Sequence, residues 1–177
     1  MKLILVRHAK TDWNDKGLVQ GMSDISLNEN GIKQALDLKE KLSGVRFDLC
    51  ITSPLKRAVQ TAEIITNNTC PMLFDNLLIE RNMGNYEGKD HKEYLKLNFW
   101  DLNKNSNFNG VEPVKEILER TDEFLNKLKS KHSNKTVLVV THSAVLRALH
   151  FIIVGYDDKT DFYSFKPENA SVYEYDI

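Results

Sequence analysis

Three short stretches of this 177-residue chain pair an apolar run with residues that handle anions. Lys2 to Val6 runs into Arg7-His8. Phe47 to Ile51 runs into Thr52-Ser53, with Arg57 about one helical turn further on. Thr136 to Val140 runs into Thr141-His142-Ser143. Arginine offers a planar fork of donors that matches phosphate oxygens. Histidine near neutral pH serves as nucleophile, donor or acid–base group. Taken singly, each is an ordinary polar residue at the end of a strand or on a helix. Together they supply what in-line attack on phosphorus requires, which is a nucleophile and positive charge around the equatorial oxygens.

The elements that must position them follow from hydrophobic spacing. Lys2–Val6, Phe47–Ile51, Met72–Phe74 and Thr136–Val140 read as strands, with an edge strand over Ala170–Ile177. A helix is expected from Ser26 or Asn28 as cap, through Ile32, Ala35, Leu36 and Leu42, with Gly44 beyond its end. A second is expected behind Ser53 as N-cap and Pro54 at its first position, carrying Leu55, Ala58, Val59, Ala62 and Ile65. Pro113 opens a long amphipathic helix with Val114, Ile117, Leu118, Phe124, Leu125 and Leu128 on one side. Ser143 opens an apolar helix through Val154. Between 76 and 112 the pattern is irregular, with a short helix expected over Tyr94–Trp100 and a polar loop over Asn103–Gly110. Strands alternating with helices imply an α/β three-layer sandwich, a mostly parallel sheet flanked by helices, in one domain over 1–177. In such sheets ligands bind beyond the carboxyl ends of the strands. Two arginines, two histidines and two helix amino termini therefore converge at one edge.

Composition narrows the class of function. Hydrophobic residues make up 41% and charged residues 28%, with formal net charge −1. That is a globular composition with no basic surplus for nucleic acid or an anionic membrane. Cys50 and Cys70 form no metal-spaced cluster, and Cys50, inside Phe47-Asp48-Leu49-Cys50-Ile51, reads as a small buried hydrophobe. No metal or cofactor is expected. The amino-terminal apolar stretch is too short for a secretory signal, and a reduced, cytoplasmic protein is expected.

The motifs also carry a resemblance. Arg7-His8-Ala9-Lys10-Thr11-Asp12-Trp13-Asn14 resembles the R-H-G-x-T-x-x-N signature of the histidine phosphatase superfamily, the phosphoglycerate mutase-like clan. Gln20-Gly21, Asp24, Ser26-Leu27, Gly31 and Gln34-Ala35 resemble its next block. Ser53 to Ala62 follows the block after that almost word for word. Glu80 to Gly88 resembles E-x-x-x-G-x-x-E-G, and Val140-Thr141-His142-Ser143 through Arg147-Ala148 resembles the last block. The likeness runs in order through nearly the whole chain. It implies His8 as nucleophile, becoming phosphohistidine. Arg7, Arg57 and His142 are implied as the clamp on the phosphoryl group, and Glu80 as proton donor to the leaving oxygen and then base for water. It implies Asn14 as a substrate-binding residue and Ser143 as a backbone donor to phosphate. Gln34 and Glu87 match family positions as structural residues. Ala9 and Ser143 stand where glycine is commoner, and Tyr86 where tryptophan is.

Within that family the expected activity is phosphomonoester hydrolysis, on α-ribazole 5′-phosphate or on a broad range of esters. The alternative is a mutase-type phosphotransferase, whose members are longer and cover the pocket. Glu80 argues for an alkoxide leaving group, which a branch acting on protein phosphohistidine does not need. A catalytically dead binding module is disfavoured because His8, Arg7, Arg57, Glu80 and His142 are all present. The expected partner is a small-molecule phosphate ester, with a homodimer admitted as oligomeric state. Tyr94, Phe99, Trp100 and Phe108 are expected either to form an apolar wall against the ester or to pack into the core.

Overall fold

The computed structural model describes residues 1–105 and 107–177, Leu95 by its backbone only. Ser106, within the loop expected over Asn103–Gly110, lies outside the described residues. The strands are β1 (Lys2–Arg7), β2 (Leu49–Thr52), β3 (Met72–Phe74), β4 (Thr136–Thr141) and β5 (Val172–Asp176). They form one sheet in the order β3-β2-β4-β1-β5. The β1–β4, β2–β4 and β2–β3 pairs are parallel, and β5 closes the β1 edge antiparallel. The mostly parallel expectation holds.

The helices are α1 (Asp12–Asp15), α2 (Glu29–Lys41), α3 (Lys56–Thr66), α4 (Lys92–Leu95), α5 (Val114–His132) and α6 (Ser143–Val154). Side chains alternate across a strand, so β1 sends Leu3 and Leu5 to one face and Ile4 and Val6 to the other. Leu3, Leu5, Val137 and Val139 pack with α5 and α6 through Ile117, Leu125, Val145 and Leu149. Ile4, Val6, Leu138 and Val140 pack with α2 and α3 through Leu38, Ala58, Ala62 and Ile65. Burial on both faces explains why these strands are continuous apolar runs rather than alternating ones. Each such side chain contributes about 1.5–3 kcal/mol relative to exposure. Cys50 sits fully buried in the second layer, its thiol pushed up to about 12 by loss of solvent.

Three local expectations change. On α2 the inward stripe is Gly31, Ala35, Leu38 and Leu42, while Ile32 and Leu36 are 45% and 47% exposed. Both stripes have helical spacing. The buried one runs through Gly31 because the helix rests on the β1–α1 loop, where a Cβ at Gly31 would lie 2.0 Å from the Lys10 carbonyl oxygen. Of the two caps offered, Asn28 is used, accepting from the Gly31 N–H at 2.8 Å. The helix expected over Tyr94–Trp100 is instead the single turn α4, and Phe99 and Trp100 fall outside it. Ser53 does not cap α3, which begins at Lys56 behind an uncapped Leu55. The reason for that lies in the site.

Candidate active site

The parallel register sets Arg7 beside Thr141 and Thr52 beside Val140, so β1, β2 and β4 end at one edge. Beyond that edge lies a cavity of about 330 Å³ whose lining includes Arg7, His8, Asn14, Arg57, Glu80 and Ser143. Six of the seven residues expected to carry the chemistry thus share one wall. His142 is the seventh. It lies behind His8, fully buried, with ring centroids 5.1 Å apart.

The two histidines are held in opposite protonation patterns. His8 Nδ1 lies 2.7 Å from the Ala9 carbonyl oxygen, which can only accept. Nδ1 therefore carries the proton, and Nε2 keeps a free lone pair. Burial first, then the charges of Arg57 and Arg7, hold His8 well below its ordinary 6.5, against the opposing pull of the Ala9 bond. At His142 the Arg57 Nε–H donates to Nδ1 at 3.2 Å, so Nε2 carries the proton and donates to Ser53 Oγ at 2.8 Å. Burial, then Arg57, His8 and Arg7, likewise hold His142 well below 6.5. Ser53 is therefore spent on His142, and accepts from the Leu55 N–H at 3.3 Å, rather than capping the helix.

Arg57 is fully enclosed. Its Nη1 donates to the Ser23 carbonyl at 2.6 Å and its Nη2 to the Gly21 carbonyl at 2.7 Å. Burial pushes it down to about 10. With Nε on His142, the plane of the fork is fixed from three sides, and the remaining Nη hydrogens are left for the cavity. Arg7 donates from Nη1 to the Pro167 carbonyl at 2.8 Å, while its buried Nε finds no partner among the described residues. An orphaned guanidinium donor in a cavity wall costs about 1–3 kcal/mol unless a ligand accepts from it.

Asn14 Oδ1 accepts from the Thr11 N–H and Oγ1, both at 3.1 Å, and from Asn169 Nδ2 at 3.3 Å, leaving its amide hydrogens as donors. Glu80 Oε1 accepts from the Arg81 N–H at 2.9 Å and the Ala144 N–H at 3.1 Å; Oε2 has only a 3.4 Å contact from Ala144. Glu80 is thus docked on the first turn of α6. The Ser143 N–H, at the first position of that helix, has no partner among the described residues and belongs to its positive end.

The two residues read as structural take that part. Gln34 Oε1 accepts from the Lys10 N–H at 3.0 Å. Glu87 gathers the Met22 and Ser23 N–H groups at 2.8 and 3.0 Å, which fixes the loop whose carbonyls hold Arg57. Ala9 is fully buried, its N–H on Thr61 Oγ1 at 3.0 Å, and the loop accommodates its methyl group. Of the four aromatic residues, Tyr94, Phe99 and Trp100 do both things expected of them, lining the cavity and packing inward; Phe108 is 57% exposed and is not part of the wall.

Sequence reasoning read Ser53 only as a helix cap and assigned no role to Asn169, Arg81 or Arg147. Asn169 donates to the His8 carbonyl at 3.0 Å from 161 residues away, a contact no local pattern encodes. Arg81 and Arg147 also line the cavity. The one signal for Arg147 was its place in the last motif block. Among the described residues no three His, Cys, Asp or Glu side chains are gathered to hold a metal ion, and no helix is long and apolar enough to cross a membrane.

Known proteins resemble this chain in sequence and in fold. The chain is 35% identical to phosphoserine phosphatase 1 of Hydrogenobacter thermophilus over 178 residues, covering 97% of this chain and 84% of that protein. It is 30% identical to the adenosylcobalamin/alpha-ribazole phosphatase of Escherichia coli over 165 residues, covering 88% and 80%. The crystal structure of phosphoserine phosphatase from Entamoeba histolytica in complex with 3-phosphoglyceric acid superposes with a TM-score of 0.83 at 28% identity, covering 98% of this chain and 89% of that one. Residues 3–177 match the family model of the histidine phosphatase superfamily, branch 1. The strand-end arginines, the paired histidines and Glu80 thus sit in a chain that belongs to the histidine phosphatase superfamily.

Proposed function

We propose that residues 1–177 form one catalytic domain that hydrolyses small-molecule phosphate monoesters through a phosphohistidine on His8. The observation that carries this is the His8 ring, a neutral imidazole with its proton on Nδ1 and its Nε2 lone pair bare at a cavity shared with Arg7 and Arg57. A nucleophile needs that state, and burial beside two guanidinium groups maintains it.

In the first step Nε2 forms a bond to phosphorus while the bond to the ester oxygen breaks. Arg7, Arg57 and the Ser143 N–H receive the equatorial oxygens. Glu80 gives its proton to the departing alkoxide oxygen, which leaves as an alcohol. In the second step Glu80, now a carboxylate, takes a proton from water. The water oxygen attacks phosphorus, the P–N bond breaks, and inorganic phosphate leaves with the lone pair back on Nε2. Asn14 donates its amide hydrogens to the bound phosphate. His142 acts from behind, its Nδ1 holding Arg57 in plane and its ring against His8. Its two nitrogens are occupied by Arg57 and Ser53, so its part in the clamp is exerted through Arg57.

The relatives named for phosphoserine and alpha-ribazole phosphate suggest esters of that size, and the cavity suits them. We also retain the cytoplasm as the place of action and a homodimer as an admissible assembly. The test is phosphate release from a panel of monoesters in EDTA, with His8→Ala as control. Release by the parent, lowered at least about 10³-fold in the variant, supports the reading. Loss of activity in EDTA overturns metal independence, and undiminished release by His8→Ala overturns the covalent mechanism.

A further inference from the structure

The cavity has a second basic feature that the reaction at His8 does not use. Arg147 lies on α6, one turn beyond Ser143 and Ala144, and lines the same cavity. Its guanidinium carbon lies 5.2 Å from the ring centroid of Trp100 and 5.3 Å from that of Tyr163. Its Nε–H donates to the Phe165 carbonyl at 3.0 Å. The ring contacts and that bond fix the plane of the fork and leave both Nη groups unbonded among the described residues. No carboxylate lies within ion-pair distance of it there, in contrast to Arg120, which is paired with Glu112 at 2.6 Å. Arg81, the neighbouring arginine, is spent on the Glu112 and Phe99 carbonyls at 2.8 and 2.9 Å. Arg147 is thus a largely desolvated cation, preorganised and unpaired. Beside it in the cavity wall is Tyr94, whose hydroxyl also makes no hydrogen bond among the described residues.

The order along α6 gives this cation a place relative to the reaction. The Ser143 N–H faces the phosphoryl end, the Ala144 N–H docks Glu80, and Arg147 follows three residues later, a rise of ~4.5 Å. A leaving oxygen protonated by Glu80 therefore carries its organic part toward Arg147. We propose that Arg147, with Tyr94, receives a carboxylate on the leaving group, two or three bonds from the ester oxygen, and so selects phosphorylated hydroxy or amino acids over phosphate esters of uncharged alcohols. A planar fork with both Nη groups free matches the two oxygens of a carboxylate. The direction of the leaving group rests on the hydrolase reading above.

The experiment separates the two. Binding to His8→Ala protein, which is not expected to turn over, is measured by calorimetry for 3-phosphoglycerate and for glycerol 3-phosphate, which differ in the carboxylate. The expected result is that 3-phosphoglycerate binds about tenfold or more tighter. The ratio falls to about one when Arg147→Met is added and stays intermediate with Arg147→Lys, which keeps the charge without the fork. Equal affinities in the His8→Ala protein overturn the proposal before any change at Arg147, whether or not the Met variant folds. A ratio unchanged in a folded Arg147→Met protein overturns it as well. In the parent enzyme the discrimination appears in KM rather than kcat. A carboxylate preference in binding, with no turnover by the parent, retires the hydrolase reading and leaves Arg147 as the carboxylate receptor. Turnover with no such preference does the reverse.

Discussion

The inner end of the cavity is held by the ends of β1 and β4 and the turn after β2, and its central side chains, Arg57 and His142, are fixed by partners from distant parts of the chain. Arg57 is tied to the Gly21 and Ser23 carbonyls and to His142, and His142 to Ser53. The outer end is built from single turns, at Gly84–Tyr86, α4 and Phe108–Gly110, around a small cluster of Val19, Met83, Tyr86, Phe99 and Val111. There two polar groups of the cavity lining, the Tyr94 hydroxyl and the Nη atoms of Arg147, have no hydrogen-bond partner among the described residues. The inner end is suited to one invariant group, the phosphoryl, because its donors are preorganised and need no rearrangement during reaction. The outer end is suited to the variable part of a substrate, since changes there disturb few of the bonds that hold the reacting atoms.

The sharpest way to break this contrast is Arg57→Met. It removes a phosphate donor and leaves the Gly21 and Ser23 carbonyls and His142 Nδ1 without their partner. We expect kcat/KM to fall by about 10³-fold and Tm, by calorimetry, to fall by about 5–15 °C. A normal Tm would mean that the inner end is not the rigid part.

Glu80 stands where the two ends meet, and Glu80→Gln should show it. Turnover of an alkyl phosphate is expected to drop about 10²-fold, and that of a nitrophenyl phosphate much less, because a good leaving group needs no proton. Equal losses in steady-state assays would remove Glu80 as the acid.

A smaller effect concerns pH. Both buried histidines are held well below 6.5 in the folded chain, while in the unfolded chain they take up a proton near 6.5. Below that pH the unfolded state binds more protons than the folded one. Their stabilisation is therefore complete above about pH 6.5 and is lost as the pH falls, by up to ~1.4 kcal/mol per unit for each ring. Melting curves from pH 8 to 5 should decline more steeply for the parent than for His8→Ala; parallel curves would refute the assignment of a neutral His8. At the outer end, Phe108→Ser should change kcat/KM less than about twofold, since Phe108 lies outside the cavity wall. A larger change in the ester panel would extend that wall to Phe108.

Much of this was legible in the chain itself. The apolar runs of β1 and β4 are long enough to declare buried parallel strands, and the polar residues that end them point to one sheet edge because parallel strands share a direction. The helical stripe of α5 was read from its spacing, whose inward residues Val114, Ile117, Leu118, Phe124, Leu125 and Leu128 are all buried. Where two stripes compete, as on α2, periodicity alone does not choose. Close contact of Gly31 with Lys10 does, and that contact belongs to tertiary structure.

The sequence by itself determined the order of elements and the types of residue gathered at the strand ends, because both depend on local periodicity and on chain direction. It did not determine which ring nitrogen of His8 or His142 carries a proton, since that is decided by the Ala9 carbonyl, Arg57 and Ser53. Nor did it determine that Ser53 would serve His142 instead of a helix end, that Asn169 would reach back to His8, or that Arg147 would stand above Trp100 with no ion-pair partner among the described residues. Apart from the bond of His8 to its neighbour Ala9, those outcomes depend on hydrogen bonds and ring contacts between residues tens to more than a hundred positions apart, whose geometry exists only once the layers have packed.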